Sequence, residues 1–267
     1  MSASAEALPV EPLLLSRTEN GVTTLTLNRP AQYNCLSEGM LDALQEALQT
    51  AAADATVRVV VIAGAGRAFC AGHDLKEMRA RPERDYYRDL FTRCSRVMQG
   101  ITELPQPVIA RVHGIAAAAG CQLVAACDLA VASSEARFAV SGVKLGLFCS
   151  TPSVALSRNV SRKRAFEMLV TGEFIDAPTA ADYGLINRVV SPSELDDAIA
   201  TLCDSIRAKS PVAIATGKGM FYTQAEKTLA DAYAYAGEVM ACNMMAEDAA
   251  EGADAFLAKR KPTWKGR

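Results

Sequence analysis

The sequence predicts an α/β core with an α-helical extension. Short apolar runs typical of buried strands alternate with loops and helices in the first part of the chain, and helical spacing dominates after Pro152. The Ser191-Pro192-Ser193 run is typical of a hinge, so we predict a core over residues 12–190 and a helical region over residues 191–267. Half of the 267 residues are hydrophobic, which excludes an intrinsically disordered chain.

The first predicted elements are a hairpin, a helix and a strand. Leu13–Thr18 and Val22–Asn28 are rich in leucine and β-branched residues, and the Asn20-Gly21 pair between them is a strong hairpin signal. Apolar residues recur at helical spacing through Ser37–Ala53, where Ser37 is a suitable N-cap. The apolar run Val57–Ala63 predicts a buried strand, and we expect the first ten or so residues to form a loose tail.

The later elements repeat the order of strand, loop and helix. The loops at residues 64–73 and 113–119 are rich in Gly and Ala, and each follows a predicted strand and leads into a helix. We predict an irregular segment at residues 134–150, because Gly142 and Gly146 interrupt it. The remaining predicted strands are Pro107–Val112 and Asp128–Ser133, and the remaining helices are Arg84–Leu104, Gly120–Ala126, Thr151–Asn159, Arg162–Thr171, Thr179–Tyr183, Glu194–Lys209 and about Gln224–Lys261.

The charge balance and the cysteine content argue against several classes of protein. The chain has 30 acidic and 28 basic residues, so it offers no broad basic surface for a nucleic acid. No apolar run reaches the roughly 18 residues of a membrane-spanning helix. The eight cysteines lie mostly in apolar runs and form no CxxC pair, so we expect reduced thiols and no metal site. The first residues lack the pattern of a secretory leader, and we expect a cytoplasmic protein.

The two Gly- and Ala-rich loops are candidate binding sites. Ligands of α/β sheets bind beyond the C-terminal ends of the strands, and small residues at a helix start leave backbone N–H groups uncovered. Two such groups that converge on one point form an oxyanion hole. A tight packing turn remains the alternative for the AAAAG run. Phe69 stands at the third glycine position of GxGxxG, which argues against a dinucleotide site, and neither a P-loop nor a GxSxG motif occurs.

Two longer motifs carry a family resemblance. AFCAGHDLKEM, followed about forty residues later by HGIAAAAGCQLVAACDLAVASSEARFA, resembles the crotonase superfamily, which is the enoyl-CoA hydratase/isomerase family. LTLNRPAQYNCLS resembles the first strand and helix of that family. RKRAFEMLVTGEFIDAPTAADYGLINRVV resembles its helices after the core, and AFLAKRKPTWKGR resembles its C-terminal end. The resemblance covers about residues 12–266.

The resemblance implies a fold, an assembly and a ligand. The fold is the crotonase (ClpP-like) spiral of ββα units, with a helical C-terminal trimerisation region and a hexamer built as a dimer of trimers. The ligand is an acyl-CoA thioester in fatty-acid metabolism, with no prosthetic group, and the nominal reaction is the hydration of 2-trans-enoyl-CoA by a lyase. The implied oxyanion hole is the backbone N–H groups of His73 and Ala119. Further implied CoA- or substrate-binding residues are Arg29, Ala71, Gly72, Asp74, Leu75, Lys76, Gly120, Cys149, Ser150, Lys259 and Lys261, of which Arg29, Lys259 and Lys261 would face the phosphates.

The chain departs from the family pattern at both catalytic glutamates. The first glutamate position is occupied by Gln122 and the second by Gly142. A carboxamide accepts no proton near neutral pH and glycine has no side chain, while one acid–base group contributes on the order of 10²–10⁴ in rate. Three readings follow: an acyl-CoA enzyme that uses other side chains, a non-catalytic or regulatory acyl-CoA-binding protein, and a weak hydratase.

Several other side chains near the implied pocket are candidates for the missing chemistry. Asp74 is equally a helix cap, Glu77 a solvated helix residue, and Cys149 either a core residue or a pocket thiol. We expect the imidazoles of His73 and His113 to take no part. Ser150 is the remaining candidate side chain. The backbone at Ala119 raises a separate question, because alanine would be strained there if φ is positive. We predict an ordinary helix start at Ala119 instead.

Overall fold

An antiparallel hairpin opens the described part of the chain, which is residues 11–267 of a computed structural model. β1 (Leu14–Glu19) pairs with β2 (Val22–Leu27), and the turn residues Asn20 and Gly21 both have positive φ, 49° and 74°. The predicted hairpin is therefore confirmed. The tail predicted for the first ten residues lies outside the described range. Helix α1 (Glu38–Ala53) follows, and the Ser37 hydroxyl accepts a hydrogen bond from the Met40 N–H as the predicted N-cap.

Three units of strand, strand and helix form the centre of the molecule. In each unit the first strand joins a larger sheet and the second strand joins a smaller one. The units are β3 (Val59–Gly64), β4 (Ala68–Cys70) and helices α2 (Leu75–Ala80) and α3 (Arg84–Glu103); β5 (Val108–Val112), β6 (Ile115–Ala117) and α4 (Ala119–Ala126); and β7 (Leu129–Ser133), β8 (Arg137–Ala139) and α5 (Ser150–Asn159).

Parallel pairing between successive units winds the chain into a spiral. The larger sheet has the strand order β1-β2-β3-β5-β7-β10, in which every pair after the first is parallel, and β10 spans Arg188–Val190. The smaller sheet has the order β4-β6-β8-β9, with β9 (Ile175–Asp176) antiparallel to β8. This arrangement is the predicted spiral of ββα units in an α/β fold.

The short strands of the smaller sheet correct three expectations. The loop predicted at residues 64–73 contains β4, the loop at 113–119 contains β6, and the irregular segment at 134–150 contains β8 and a 3₁₀ helix at Ser141–Leu145. A three-residue strand is too short to display the two-residue alternation of apolar side chains. The pairing of these segments depends on their neighbours in the sheet, which lie in other units of the sequence.

Helices dominate the second half of the chain. After β10 the elements are α8 (Leu195–Arg207), α9 (Pro211–Ala225), α10 (Leu229–Met244) and α11 (Glu247–Leu257), and before it lie α6 (Arg162–Thr171) and α7 (Ala177–Asp182). The single helix predicted over about Gln224–Lys261 was wrong. Thr228 caps a new helix and a further break follows Met244, so this stretch forms α10 and α11. No helix among residues 11–267 is long and apolar enough to cross a membrane.

Helix α9 was missed in the sequence although its start carries a clear signal. Ser210 accepts a hydrogen bond from the Ala213 N–H, and Pro211 occupies the first helical position. A serine N-cap followed by proline is a favoured helix start, because proline has no N–H that needs a partner there. The apolar residues within α9 are spread around all sides of the helix, so the sequence shows no helical period.

The larger sheet is buried on both faces. Val60 and Ile62 of β3 point into the main core, whereas Val59 and Val61 pack against α8 through Leu195, Ile199 and Cys203. Alternate residues of one strand therefore enter two separate apolar clusters, as expected for a parallel sheet covered on both sides. This burial explains why the sequence of β3 reads as a continuous apolar run.

A buried ion pair joins α9 to the core. Lys218 Nζ donates to Asp128 Oδ2 at 2.6 Å and to the carbonyl oxygens of Ile101 and Gln106 at 2.7 and 2.9 Å. The Tyr222 hydroxyl donates to the other Asp128 oxygen at 2.7 Å. Burial lowers the pKa of Lys218, and Asp128 opposes that shift. Every donor of the ammonium is thereby used, so Lys218 holds α9 against Asp128, the end of α3 and the loop that follows α3.

We expect Lys218→Met to lower the free energy of unfolding by about 3–5 kcal/mol, because Asp128 would then remain buried without its cation. Urea unfolding followed by circular dichroism measures the loss. Lys261→Met, at an exposed position, serves as the control and should change stability by less than about 0.5 kcal/mol. Equal effects of the two substitutions would show that the pair does not hold α9.

Candidate functional site

The two predicted loops meet where β4 and β6 end. A Cβ built on Gly72 would stand 3.0 Å from Ala118 Cβ and 3.4 Å from Ala119 N. The peptide group that joins Gly72 to His73 therefore lies beside the first residue of α4. Parallel pairing of Cys70 with Ala116 sets this proximity, because it aligns the ends of the two short strands.

Both backbone N–H groups of the predicted pair lack a partner within their own elements. His73 forms an isolated parallel bridge with Leu36, in which Leu36 N donates to Gly72 O and Asp74 N donates to Leu36 O. The bridge uses the groups on either side of His73, so the His73 N–H points away from Leu36. Ala119 is the first residue of α4, and the first N–H groups of a helix have no acceptor inside it. Among residues 11–267 neither N–H group has an acceptor, and both belong to the segments that meet at the positive end of a helix dipole.

Close packing of α4 on β4 demands glycine at residue 120. A Cβ on Gly120 would lie 2.0 Å from the Cys70 carbonyl oxygen, which no side chain tolerates. The start of the helix thus rests directly on the backbone of the strand. The Ala118 N–H donates to Ala139 O at 2.8 Å, which fixes the turn from the other side.

The strained residue of this turn is Ala118 rather than Ala119. Ala118 has φ 49° and ψ −117°, a conformation that glycine adopts freely and alanine does not. The structure confirms the expected ordinary helix start at Ala119. The residue with positive φ is Ala118, one position earlier. Four identical alanines in sequence carry no signal that could identify which one has positive φ.

Asn34 and Leu36 hold the loop at residues 64–73 by hydrogen bonds, and neither residue was identified from the sequence. Asn34 is fully buried, and its Nδ2 donates to the carbonyl oxygens of Ala65 and Ala68 at 2.8 and 2.7 Å. Its Oδ1 accepts from the Arg29 N–H at 2.9 Å. Asn34 itself has φ 56°, which asparagine tolerates better than most residues. The only signal in the sequence was an asparagine next to an apolar residue ahead of a helix cap.

Asp74 and Glu77 act as helix caps. Asp74 Oδ1 accepts from the N–H groups of Lys76 and Glu77, and its Oδ2 pairs with Arg29 Nη1 at 3.0 Å. These hydrogen bonds lower the pKa of Asp74 although partial burial opposes them. Glu77 was expected to be solvated, but its carboxylate accepts from the Glu38 N–H at 2.9 Å and so caps the start of α1. Both carboxylates accept backbone N–H groups at helix starts, and Arg29 is engaged with Asp74.

The ring of His73 packs against α3. Its centroid lies 5.5 Å from that of Phe91 in an edge-on contact, and Phe91 stacks on Tyr87. Both ring nitrogens are buried without a partner among the described residues. Burial lowers the pKa of His73, so the ring is neutral at pH 7. His113 Nε2 lies 2.8 Å from Gly66 O, and the pKa of His113 is also lowered by burial.

The two positions at which the family resemblance implies glutamates differ in their surroundings. Gln122 lies one turn into α4, with 4% of its surface exposed and its Oε1 without a partner in residues 11–267. Helical side chains lean toward the N-terminus, so residue 122 leans over Ala118 and Ala119, four and three positions earlier. A buried, neutral amide group thus stands one turn from the start of α4.

Gly142 lies in a space that its neighbours have filled. A Cβ built there would stand 2.6 Å from Leu147 O and 2.7 Å from Cys149 Sγ. The Gly142 N–H donates to Cys149 Sγ at 3.2 Å, and the Leu147 N–H donates to Gly142 O at 2.9 Å. Burial raises the pKa of the Cys149 thiol, which is therefore neutral. The site lacks a carboxylate at residue 142 and has no room for any side chain there.

The remaining predicted residues lie around this centre or away from it. Ala71, Leu75 and Lys76 are exposed, and Ser150 begins α5 with its Oγ directed to Phe148 O. Lys259 and Lys261 are exposed after α11, a helix that packs on α9 and α10. Within residues 11–267, no hydrogen bond or ion pair joins either lysine to the two loops. Their assignment to CoA phosphates, like that of Arg29, stays a prediction. All eight cysteines are free thiols, and residues 11–267 contain no cluster of metal-ligating side chains.

We expect Ala118→Gly to raise the free energy of unfolding by about 1 kcal/mol, because glycine relieves the positive φ. Ala117→Gly is the matched control. Residue 117 ends strand β6, where glycine should lower stability by about 0.5–1 kcal/mol. Denaturant unfolding of both variants measures the difference, and an equal loss in the two would contradict the assignment of strain to Ala118.

A second substitution tests the closed position 142. Gly142→Ala should lower the free energy of unfolding by roughly 1–3 kcal/mol, because its methyl group would overlap Leu147 O and Cys149 Sγ. Gly217→Ala, in helix α9 with open space around it, should be neutral or stabilising. Thermal unfolding measures the stability of the two variants. A Gly142→Ala variant as stable as the unmodified protein would show that the space at residue 142 is open.

Comparisons with known proteins agree with this geometry. The chain is 45% identical over 261 residues to the Enoyl-CoA hydratase domain-containing protein 3, mitochondrial, of Xenopus laevis, and the match covers 98% of this chain and 89% of the relative. A crystal structure of an enoyl-CoA hydratase of Mycobacterium smegmatis superimposes with a TM-score of 0.94 at 64% identity, over 95% of this chain and 99% of that one.

The human enoyl-CoA hydratase domain-containing protein 3 also superimposes, with a TM-score of 0.92 at 44% identity, over 94% of this chain and 100% of that one. The run GLFCSTPSVALSR resembles the same subgroup in sequence. The family model described as Enoyl-CoA hydratase/isomerase matches residues 17–267. The chain therefore belongs to the enoyl-CoA hydratase/isomerase family, whose fold is the crotonase fold.

Proposed function

We propose that this protein binds acyl-CoA thioesters with the thioester oxygen held by the backbone N–H groups of His73 and Ala119. The observation that carries the proposal is the meeting of these two free donors at the start of α4. Donors fixed in advance stabilise the negative charge that develops on a thioester oxygen when an enolate forms. One such donor contributes about 2.7–4 kcal/mol in sites of this kind.

We propose further that efficient hydration is not the main activity of the site. Hydration needs one group to activate water and another to pass a proton to the α-carbon. Gln122 is a neutral amide, residue 142 has no side chain, and the carboxylates of Asp74 and Glu77 serve as caps. What supports the proposal is that the buried polar groups around the amides are all neutral: Gln122, the His73 ring and the Cys149 thiol.

This proposal allows two alternatives. The protein binds acyl-CoA without turnover, or it catalyses another enolate-forming reaction. The closed space at residue 142 favours binding without turnover, because no side chain at that residue can reach a substrate. The enoyl-CoA hydratase names of similar proteins favour retained chemistry. We also propose that the acyl group comes from fatty-acid metabolism and that the protein is cytoplasmic.

We propose that the protein self-associates through its C-terminal helices, as a trimer or a hexamer. Large apolar side chains remain exposed there, among them Leu229, Tyr233, Met245, Phe256 and Leu257, each at least 75% exposed. Apolar area of this kind on neighbouring helices marks protein–protein contacts. Light scattering at micromolar concentration tests it: a trimer or hexamer is expected, and a monomer would contradict the proposal.

We expect butyryl-CoA to bind in calorimetry and Gly72→Ala to weaken it at least tenfold. A Cβ on Gly72 meets Ala118 and Gly72 has φ 103°, so the substitution must move the peptide that carries the His73 N–H. His73→Ala is the control, because it keeps the backbone N–H, and we expect a change of less than about threefold. No binding of butyryl-CoA by the unmodified protein at millimolar concentration would contradict the proposal.

Turnover of crotonyl-CoA tests the second part. We expect a rate well below the typical value of about 10 s⁻¹ in the loss of absorbance of the enoyl thioester. Gln122→Glu should leave the rate low, since one carboxylate does not replace two and residue 142 stays closed. A rate of about 10 s⁻¹ or more in the unmodified protein would show that other side chains perform the hydration.

A further inference from the structure

Helix α10 has an apolar face that the folded chain leaves uncovered. The helix packs on α9 and touches α11, yet in the described part of the chain no residue of α10 is buried. Four large side chains, each at least 60% exposed, recur at intervals of four, seven and four residues: Leu229, Tyr233, Met240 and Met244. Side chains at these intervals share one face of a helix. We call these four residues the α10 stripe.

The groove between α5 and α6 is a second uncovered apolar surface. Its volume is about 430 Å³, and its lining includes Phe148, Phe166, Leu169 and Arg162. Phe148 and Phe166 are 49% and 60% exposed. Large apolar side chains that stay exposed beside one another mark a site of protein–protein contact. The α10 stripe projects from the surface and the groove is concave, so the two surfaces are complementary in shape.

The charges around the two surfaces are complementary as well. Residues 150–171, which form α5 and α6, contain four basic residues and one acidic residue, whereas residues 229–257, which form α10 and α11, contain six acidic residues and no basic one. Within residues 11–267, Arg162 and Lys163 at the start of α6 form no ion pair, and three of the six acidic residues form none either: Asp231, Glu238 and Asp254. Like charges brought together oppose association, so the α10 stripe favours the groove over a second α10.

We infer that the α10 stripe of one copy of this chain docks in the α5–α6 groove of a second copy. The inference rests on the self-association proposed above and names the surface that receives the helix. An apolar helix face in an apolar groove is a common mode of recognition, with anchors one and two turns apart. Because the two surfaces differ, the contact is head-to-tail, and contacts of this kind close into a ring when the rotation allows it.

The docked copy borders the candidate site. Phe148, which lines the groove, lies between Leu147 and Cys149, and those two residues fill the space at residue 142. The segment that closes residue 142 therefore also forms part of the receiving surface.

Two aspartate variants test the two surfaces separately. Phe166→Asp places a charge in the groove and Tyr233→Asp places one in the α10 stripe. Each should reduce the molar mass from light scattering at micromolar concentration to that of a dimer or a monomer, because an unpaired charge in an apolar contact is strongly unfavourable. Leu15→Asp, at an exposed position on β1, is the control and should leave the assembly unchanged. Circular dichroism checks that each variant is folded.

A mixture of the two variants tests whether the contact is head-to-tail. Phe166→Asp keeps an intact stripe and Tyr233→Asp keeps an intact groove, so the mixture should form a 1:1 complex that neither variant forms alone. No complex in the mixture would overturn the inference. An unchanged assembly of Phe166→Asp beside a dissociated Tyr233→Asp would overturn it and leave self-association standing. A monomeric unmodified protein would contradict self-association and the inference together.

A cross-linking experiment decides the inference even if Phe166→Asp fails to fold. With p-benzoylphenylalanine in place of Met240, irradiation should join two copies, and mass spectrometry should locate the second attachment within residues 145–171. An attachment between copies at any other segment would overturn the inference.

Discussion

The packing of the first residues of α4 against the end of β4 is the contact on which the site depends. Gly120 rests on the Cys70 carbonyl, and no residue with a side chain could approach so closely. This approach brings the Ala119 N–H beside the peptide of Gly72 and His73. It also forces Ala118 into a conformation that costs about 1–3 kcal/mol for a residue with a Cβ. The strain persists because β6, β8 and the helix all fix the chain around it.

Residues 122 and 142, where the family resemblance implies glutamates, differ in their physical character. At residue 122 the amide keeps the shape of a glutamate and loses only the ability to accept a proton. At residue 142 the surrounding chain has closed in, because Leu147 and Cys149 occupy the space that a side chain would need. A substitution could reverse the first change, whereas the second would require the segment between the 3₁₀ helix and α5 to move. On the proposed function, the protein would keep the backbone donors for a thioester without the groups for acid–base chemistry.

The sequence predicts the elements that have local signals. The hairpin at Asn20-Gly21, the helix that Ser37 caps and the apolar strand β3 all carry such signals, and the structure confirms them. The strands β4, β6 and β8 depend on partners in other units, so their three residues each carry no period of their own. The family motifs pointed to the amides of His73 and Ala119; the structure brings Gly72 beside Ala119, and the role of the two amides stays a prediction. Positive φ at Ala118, the cap formed by Glu77 and the closed space at Gly142 arise only from tertiary packing, which no local pattern reveals.

The central claim is that two backbone N–H groups polarise the carbonyl of a bound thioester. Infrared difference spectroscopy of butyryl-CoA labelled with ¹³C at the thioester carbonyl measures this polarisation directly. Hydrogen bonds from the His73 and Ala119 N–H groups weaken the C=O bond, so the account predicts a carbonyl stretch at lower frequency in the complex than in solution. An unchanged frequency in a complex shown to be saturated would contradict the account.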